Sequence, residues 1–545
     1  MATPSPSSSS NEKERVLNQT AQVQEEPPRY KSNLEEFERD SSTRPPWILT
    51  FTEVKLLGIA GVGFFLDAYD LFIINPVATM LQYRLYGGAA LPSGLQGFVK
   101  AGANIGSVIG QFLFGYLADR LGRKAIYGKE LMLIILATIL CLTTPTGSLS
   151  PDACLIYLGV FRILLGIGVG GDYPMSASIT SDRANLRKRG TMLSYIFANQ
   201  GWGSLVGSLV FLVVLAIYKH VMNDEGKTSK VDGVWRICVG LSLIPAFGTL
   251  YQRLTLPEST RFIKSQQRTQ DEEDPIEKLK AEAHADEASA SGGSSDNVSP
   301  TTAPAAAPAP PPIVKQKAHF HDFLKYFSEW RHLKLIIGTG GCWFLLDIAF
   351  YGINLNQNVV LQQIGFDGKD GTPWERLWKI AIGNIIITAL GFVPGYYVTV
   401  LTVEKLGRKT IQIMGFLMEA LFLGIMAGLF DRLSTAAFVV CFAFLQFFFN
   451  FGANTTTYLY PAEVFPTRYR AFAHGISAAC GKCGAIISAL AFNALSEDVG
   501  TPVVLWIFFG CCLAGAILTA ICLPEVKGRD PDVILEQEMR ERRML

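Results

Sequence analysis

The feature that most constrains this chain is a recurring apolar run of about 20 residues, the length that spans a bilayer as a helix. Six runs lie at about 52–77, 95–118, 125–145, 154–181, 191–218 and 234–253, and six more at about 333–358, 376–402, 410–430, 434–461, 471–496 and 502–523. Charged residues make up 17% of the 545 residues, whereas soluble proteins average about 25%. The sequence therefore predicts an all-α membrane protein with twelve transmembrane helices.

Polar stretches divide the chain into five parts. We expect a disordered N-terminal tail (1–46), a six-helix half (47–253), a partly disordered linker (254–330), a second six-helix half (331–523) and a charged C-terminal tail (524–545). The middle of the linker is a low-complexity sequence that cannot form a packed core. The first 20 residues contain no apolar core, so we expect no cleavable signal peptide and insertion through the first spanning helix.

Three local matches indicate that the two halves arose by duplication. DRLGRK at 119–124 corresponds to EKLGRK at 404–409, and FLD at 65–67 corresponds to LLD at 345–347. LPE recurs at 256–258 and 523–525, just after the sixth and the twelfth run. Because the matches fall at corresponding positions, they predict two structurally repeated halves.

Lys and Arg are concentrated in the short loops after the second, fourth, eighth and tenth runs, whereas the loops at 143–153 and 496–502 contain none. The positive-inside rule then predicts that both termini and the linker lie in the cytosol, although the loop at 219–230, with three lysines, is an exception. The formal charge of +1 gives no indication of a nucleic-acid partner.

The glycine run GIGVGGDYP at 166–174 fits the dinucleotide fingerprint G-x-G-x-x-G. That fingerprint needs a strand before it and a helix opening after it, whereas here the flanks belong to one continuous apolar run. Gly166, Gly170, Ser176 and Ala177 would instead let another helix approach closely. Since the sequence also has no Walker A lysine motif and no His/Cys cluster with metal spacing, we expect no cofactor and no metal.

Ionisable residues inside the first six runs are few. An ionised side chain in the hydrocarbon costs about 2.5–3.5 kcal/mol on insertion scales, so it normally pairs or lines a watery cavity. Asp67 and Asp70 lie three residues apart on one helix face, which suits a proton carrier, and Arg162 is the expected partner of Asp67. A permanently paired structural role is the alternative for all three residues.

The residues after the glycine run continue this polar pattern. Asp172 and Tyr173 precede Pro174, which cannot donate a backbone hydrogen bond and is expected to kink the helix. Gln200 lies midway through the fifth run and offers two donors and an acceptor. An ordinary hydrogen bond between helices is the alternative for Gln200.

In the second half, Trp343, Asp347 and Tyr351 are spaced i, i+4 and i+8 and form one helix stripe that predicts a binding wall. Lys482, between two nearby glycines, suits an anion, and Asn454 adds a neutral polar group in the tenth run. Packing alone is the alternative for the stripe, and a structural cation for Lys482. Taken on their own, the residues describe a proton-coupled carrier of a small polar or anionic solute and do not specify it further.

Several motifs together are similar to those of one family. They are LDAYDLFIIN (66–75), GGDYP (170–174), FANQGWG (197–203), WFLLDIAFYG (343–352), NFGANTTTYLYPAEVFP (450–466) and CGKCGA (480–485). In order and density they resemble the proton-coupled inorganic phosphate symporters of the major facilitator superfamily, most closely the fungal high-affinity members, over nearly all of 50–525. One departure is Ala453, where the family more often has proline.

The resemblance implies roles for the matching positions. Phosphate would be contacted by Tyr173, Gln200, Trp343, Asp347, Tyr351, Asn454 and Lys482. Protons would be carried or relayed by Asp67, Asp70 and Asp172, with Arg162 beside them. Salt bridges of the repeated loops, which contain Asp119, Arg123, Glu404 and Arg408, would latch the inward side.

The expected activity is uptake of dihydrogen phosphate across the plasma membrane by alternating access, driven by the proton gradient and without enzymatic chemistry. Two other functions stay open from the sequence. One is a symporter of glycerophosphodiesters or another organic solute, and the other is a phosphate-sensing receptor that signals through its tails. The sequence does not specify affinity, proton stoichiometry or oligomeric state.

Overall fold

The computed structural model describes residues 45–265, 320–356, 360–361, 365–366 and 371–544. Twelve long helical segments fill this part of the chain: α1 Phe51–Tyr86, α2 Ser93–Leu121, α3 Arg123–Leu142, α4 Pro151–Arg183, α5 Arg189–Ile217, α6 Thr228–Leu254, α7 Trp330–Asn354, α8 Pro373–Leu406, α9 Arg408–Gly428, α10 Thr435–Val464, α11 Arg470–Val499 and α12 Thr501–Cys522. A short helix, Phe320–Phe327, precedes α7, and a C-terminal helix, Pro531–Met544, follows α12. No strand occurs among the described residues, and the predicted all-α fold with twelve helices is confirmed.

Eleven of the twelve segments are long and apolar enough to cross a membrane. The remaining one, α2, carries Lys100, Asn104 and Gln111 at buried positions. Outward-facing positions carry exposed apolar side chains, such as Ile517 and Ile521 of α12. Polar side chains are costly in the hydrocarbon of the bilayer, so lipid-facing positions carry apolar residues. The polar residues of these helices therefore face the interior of the bundle.

The close approach of α2 and α4 explains the glycine run. A Cβ atom on Gly166 would lie 2.9 Å from Cα of Ala103, and one on Gly170 would lie 2.7 Å from Cα of Ser107. Neither distance is tolerable for a real side chain, so these two glycines let the backbones touch. The prediction that the run serves helix packing is confirmed.

Two helices, α8 and α10, depart from regular α-helical geometry in the interior of the bundle. In α8 the residues Thr388–Phe392 form a π-helical turn, and α10 is interrupted between Asn450 and Ala453. At the interruption a Cβ on Gly452 would lie 2.6 Å from Cα of Gly415 in α9, so the two backbones are in contact there. In α4, by contrast, the helix runs unbroken through Pro174.

The two halves pack against each other along α2 with α11 and along α5 with α8. Aromatic rings fill the space between them. Phe64 of α1 makes edge contacts with Tyr173 and Phe197 in its own half and with Tyr458 in the other half. Phe197 and Tyr458 stack across the interface with ring centroids 4.6 Å apart.

Both described ends of the chain lie at one face of the bundle, which we call the terminal face; the other is the opposite face. The C-terminal tail is not an extended charged segment there, because Pro531–Met544 is helical and docks. Asp532 Oδ1 accepts a hydrogen bond of 2.7 Å from the Thr467 backbone, and Asp530 lies 3.4 Å from Arg261. The predicted disordered tail 1–46, apart from residues 45 and 46, and the low-complexity linker lie outside the described residues.

Candidate functional site

A group of polar side chains from both halves meets at the middle of the bundle, and we call it the central cluster. Each member is at most 6% exposed. The members are Asp67, Tyr173, Gln200, Trp343, Asp347, Tyr351, Tyr396, Asn454 and Lys482. The structure therefore brings together all seven residues to which the sequence assigned phosphate contact, and it adds Asp67 and Tyr396.

A chain of hydrogen bonds links the halves within the central cluster. Tyr173 Oη donates to Asp67 Oδ2 at 2.5 Å, and Gln200 Nε2 donates to the same oxygen at 3.0 Å. Gln200 Oε1 in turn accepts from Tyr396 Oη at 3.2 Å, and Asn454 Nδ2 donates to Tyr396 Oη at 2.9 Å. The carboxylate of the first half is thus connected to the interrupted helix α10 of the second half.

Lys482 lies between two phenols. Its Nζ donates to Tyr351 Oη at 2.5 Å and to Tyr173 Oη at 3.4 Å, and it lies 4.4 Å and 5.0 Å from the centres of those two rings. No carboxylate among the described residues is within ion-pair distance of this ammonium. Its charge is therefore available to an anion.

Two carboxylate oxygens of the central cluster are buried without a hydrogen-bond partner in the described part of the chain: Asp67 Oδ1 and Asp347 Oδ2. Buried acceptors of this kind are rare because each costs free energy when it is left unsatisfied. A ligand that can donate hydrogen bonds would satisfy them. The central cluster thus brings donors, a cation and unfilled acceptors together among buried side chains.

The stripe on α7 faces this space as the spacing predicts. Trp343 lies with its ring centre 6.1 Å from that of Tyr173 and 5.7 Å from that of His474. A Cβ on Gly481 would lie 2.8 Å from Cγ of Trp343, so the glycine before Lys482 makes room for the indole.

Arg162 does not pair with Asp67, and this expectation is wrong. Its Nε donates to the carbonyl oxygen of Val99 at 2.9 Å and its Nη1 to the carbonyl oxygen of Asp70 at 3.3 Å. Asp67 and Asp70 lie on the same helix, α1. Arg162 packs against α1 at Asp70, one turn beyond Asp67 and the central cluster. Asp70 and Arg162 therefore form a second polar group beside it.

Asp172 makes its ionic contacts outside the central cluster. Its Oδ1 lies 2.7 Å from Nη1 of Arg253, which is also 3.3 Å from Oε1 of Glu130, and Ser176 Oγ donates to Asp172 at 2.9 Å. Arg253 comes from the end of α6 and is fully buried. This ion group ties α3, α4 and α6 together within the first half.

At the terminal face, the repeated loops make contacts that cross between the halves. Asp119 and Arg123 pair at 3.2 Å; Asp119 accepts from the backbone N–H of Phe472 at 2.8 Å, and Arg123 Nη2 donates to the Thr467 carbonyl at 2.7 Å. Asp182 of α4 forms an ion pair with Arg470 of α11. The first loop thus joins the halves mainly through backbone groups.

The second loop is its counterpart. Arg408 pairs with Glu404 at 2.8 Å and with Glu463 at 2.6 Å. Glu404 Oε1 also accepts from the backbone N–H of Thr191, in the first half, at 3.1 Å. Asp119, Arg123, Glu404 and Arg408 all therefore belong to contacts at the terminal face, while their role in gating stays a prediction.

Contacts between the halves also close the opposite face. Lys100 Nζ donates to the Leu355 carbonyl at 2.7 Å, and Asn75 Nδ2 donates to the Asn354 carbonyl at 2.9 Å. Trp374 Nε1 donates to the Leu215 carbonyl at 2.8 Å. With contacts at both faces and a buried cluster between them, the molecule is in an occluded arrangement.

Several residues of these networks were not singled out from the sequence, among them Lys100, Asp182, Arg253 and Tyr396. Arg253 and Lys100 are cations at or inside the ends of apolar runs, which is the signal that could have indicated them. Asp182 follows the glycine run within the motif SDRAN. Tyr396 carries no such signal, because a tyrosine in an apolar run is commonplace.

The fold and the central cluster are those of a membrane carrier rather than an enzyme: two groups of six helices surround a buried polar cluster, and contacts between the groups close both faces. The chain belongs to the family described as sugar (and other) transporter, whose sequence model matches residues 56–536. It is a multi-pass membrane protein of the major facilitator superfamily.

Sequence similarity to named proteins supports this assignment. The chain is 46% identical to a Schizosaccharomyces pombe protein named as an inorganic phosphate transporter, over 90% of each chain. It is 38% identical to inorganic phosphate transporter PHO84 of Saccharomyces cerevisiae, over 89% of this chain and 84% of the relative. It is also 38% identical to the repressible high-affinity phosphate permease of Neurospora crassa, over 80% and 76%.

A solved structure shows the same fold. The proton:xylose symporter XylE bound to 6-bromo-6-deoxy-D-glucose superposes with a TM-score of 0.64 at 20% identity, covering 88% of this chain and 98% of that chain.

Proposed function

We propose that this protein carries dihydrogen phosphate together with protons across the plasma membrane by alternating access. The relatives named as phosphate transporters support the substrate. The observation that carries the chemistry is the pair of unpartnered carboxylate oxygens, on Asp67 and Asp347, in the same buried cluster as the ammonium of Lys482.

Dihydrogen phosphate matches this set of groups because it both donates and accepts hydrogen bonds. Asp347 accepts from a P–OH group, Lys482 offsets the negative charge, and the remaining donors bind the other oxygens. Those donors are Tyr173, Gln200, Trp343, Tyr351 and Asn454. Sulfate has no proton to give at neutral pH, so it would place like charge against Asp347, and this repulsion provides selectivity.

Proton coupling is assigned to Asp67. When it is protonated, its unpartnered oxygen can carry the proton, and the hydrogen bonds from Tyr173 and Gln200 keep the side chain in place. Asp70, with Arg162 beside its backbone carbonyl, is a relay position between this carboxylate and the opposite face. For Asp172, the contacts with Arg253 support a structural anion rather than a moving proton carrier.

Transport follows from rocking of the two halves about the central cluster. Opening the terminal face breaks the contacts of Asp119, Arg123, Glu404 and Arg408 with the other half or their neighbours. The lysines and arginines of the short loops support a cytosolic position for that face and for both termini. More than one proton per monoanion makes transport electrogenic, with about 2.3 kcal/mol available per charge and 100 mV. The driving force is then the electrochemical gradient of protons, which combines the pH difference and the membrane voltage, and no cofactor takes part.

The decisive experiment uses the purified protein in liposomes, with the pH gradient and the membrane voltage set independently. We expect labelled phosphate to accumulate in the lumen when the lumen is alkaline. If more than one proton accompanies each monoanion, phosphate should also accumulate when the lumen is electrically negative. Excess sulfate should not compete. Equal competition by glycerophosphoinositol would favour the organic-solute alternative, and absence of any flux would favour the receptor.

A further inference from the structure

Lys100 is a buried cation that the proposed transport cycle does not yet use. It lies in α2 near the opposite face, and its side chain is 2% exposed. Its Nζ donates to the Leu355 carbonyl at 2.7 Å and to Asn356 Oδ1 at 3.2 Å, both at the end of α7 in the other half. Among the described residues no carboxylate is within ion-pair distance of it.

These acceptors are available to Lys100 only while the opposite face is closed. The last carbonyls of a helix carry partial negative charge, which explains why an ammonium is stable against the end of α7. Since α2 and α7 belong to different halves, any rocking that opens this face separates them. Lys100 then loses both acceptors at the moment when water and solute enter.

A second cation lies next to Lys100 on the way to the central cluster. The carbonyl of Val99, the preceding residue, accepts from Nε of Arg162, whose Nη2 is buried without a partner in the described part of the chain. Arg162 also donates to the Asp70 carbonyl, one turn from Asp67. Lys100 and Arg162 are therefore neighbouring cations between the opposite face and Asp67, and the carboxylate of Asp70 lies on the same route.

We propose that Lys100 is an anion-receiving residue at the entrance on the opposite face, which exchanges the end of α7 for incoming inorganic phosphate. The anion named here rests on the proposed function. When the opposite face is closed, the ammonium of Lys100 holds α2 against the end of α7. Opening of this face and binding of the anion are therefore coupled. A cation with neutral partners suits this exchange, because a permanent carboxylate partner would compete with phosphate.

The test compares the KM for labelled phosphate supplied at the opposite face, in liposomes containing Lys100→Gln, Lys100→Arg or the wild type. We expect Lys100→Gln to raise KM about tenfold, the effect of losing one charge-assisted hydrogen bond. Lys100→Arg should stay within about twofold of the wild type because it keeps the charge.

Asn75→Ala is the matched control, since Asn75 closes the same face through the Asn354 carbonyl but carries no charge. It should leave KM near the wild-type value. Equal rises in KM for Asn75→Ala and Lys100→Gln would mean that Lys100 is only a gate contact, and an unchanged KM in Lys100→Gln would equally overturn the proposal.

Asn356→Asp provides a second measurement if Lys100→Gln does not insert. The new carboxylate would hold the ammonium permanently, so KM for phosphate should rise severalfold, and an unchanged KM would contradict the proposal. Phosphate flux through the wild-type protein, measured in parallel vesicles, distinguishes the hypothesis of phosphate transport from that of the role of Lys100. Its absence refutes phosphate transport itself, whereas normal wild-type flux with unaltered variants refutes only the role of Lys100.

Discussion

Lys482 on α11 and Tyr173 on α4 meet across the two halves, with Nζ 3.4 Å from the phenol oxygen. The same hydroxyl donates to Asp67 at 2.5 Å. One phenol thus connects the cation that faces the anion site with the carboxylate assigned to the proton. Protonating Asp67 removes a negative charge from this short chain, so it changes how strongly Lys482 is held and how well the site binds an anion.

Asp67→Asn removes the titratable proton and the charge but keeps the size of the side chain, and the amide oxygen can still accept from Tyr173 and Gln200. We expect phosphate exchange between the two sides of the membrane to persist, while accumulation against a gradient is lost. The measurement is uptake into liposomes with and without a pH gradient. Tyr173→Phe is the companion variant, which should bind phosphate more weakly yet keep its pH dependence. Wild-type dependence on external pH in Asp67→Asn would remove Asp67 from the coupling mechanism.

Asp347→Asn tests the acceptor for the P–OH group. The amide offers one acceptor oxygen and no charge, so we expect kcat/KM for phosphate to fall about 10- to 100-fold, with accumulation abolished and insertion intact. Competition by sulfate should increase, because the like charge that rejects it is gone. Surface expression and labelled uptake are measured together, and normal uptake would show that Asp347 does not contact the substrate.

Helix number and the glycine contacts could be predicted because both depend on local patterns. An apolar run of bilayer length and a spacing of small residues have the same meaning whatever the partner helix is. The costly charges Asp67, Asp347 and Lys482 were predictable for a related reason, since insertion cost alone marks them as unusual.

Pairings between distant segments were not predictable in this way. Asp172 and Arg253 are 81 residues apart and meet because α4 and α6 both pack against α1 and α3. Periodicity gives the face on which a residue lies, but not the segment that covers that face. For the same reason Arg162 was assigned to Asp67, whereas the register of α4 against α1 places it at Asp70.

Asp172→Asn should therefore act mainly on stability. It leaves the buried guanidinium of Arg253 with Glu130 and the backbone carbonyls of Ile59 and Ala60, and breaking a buried ion pair costs about 3–5 kcal/mol. We expect a clear fall in Tm in detergent, much larger than for Asp67→Asn. An unchanged Tm together with altered proton coupling would instead support a relay role for Asp172.

Gly170→Ala tests the contact between α2 and α4. The added methyl group would lie 2.7 Å from Cα of Ser107, and overpacking of this kind costs about 1–3 kcal/mol. Gly510→Ala in α12 is the matched control, because no atom lies within 4 Å of the position that its Cβ would take. Thermal unfolding in detergent should separate the two, and equal Tm values would mean that the backbones can move apart at little cost.

Asp532 gives a pH-dependent prediction for the docked C-terminal helix. Burial acts to raise the pKa of Asp532, but the Arg470 guanidinium and the hydrogen bonds from Thr467 outweigh it, so the pKa lies below the ordinary 3.8. A carboxyl with a lowered pKa stabilises the docked state above its ordinary pKa, and that stability is lost as pH falls through the lowered value. Docking should therefore be full at pH 7 and weaken below about pH 4.

Asp532→Asn should release the C-terminal helix even at pH 7 and remove this pH dependence. Limited proteolysis of Pro531–Met544 measures the release, from neutral pH downwards. Asp530→Asn is the control, because its ion pair with Arg261 is partly exposed and contributes less than about 1 kcal/mol. Equal protection of the wild type and Asp532→Asn at pH 7 would show that other contacts of the helix, such as the ion pair between Glu538 and Arg331, hold it against the terminal face.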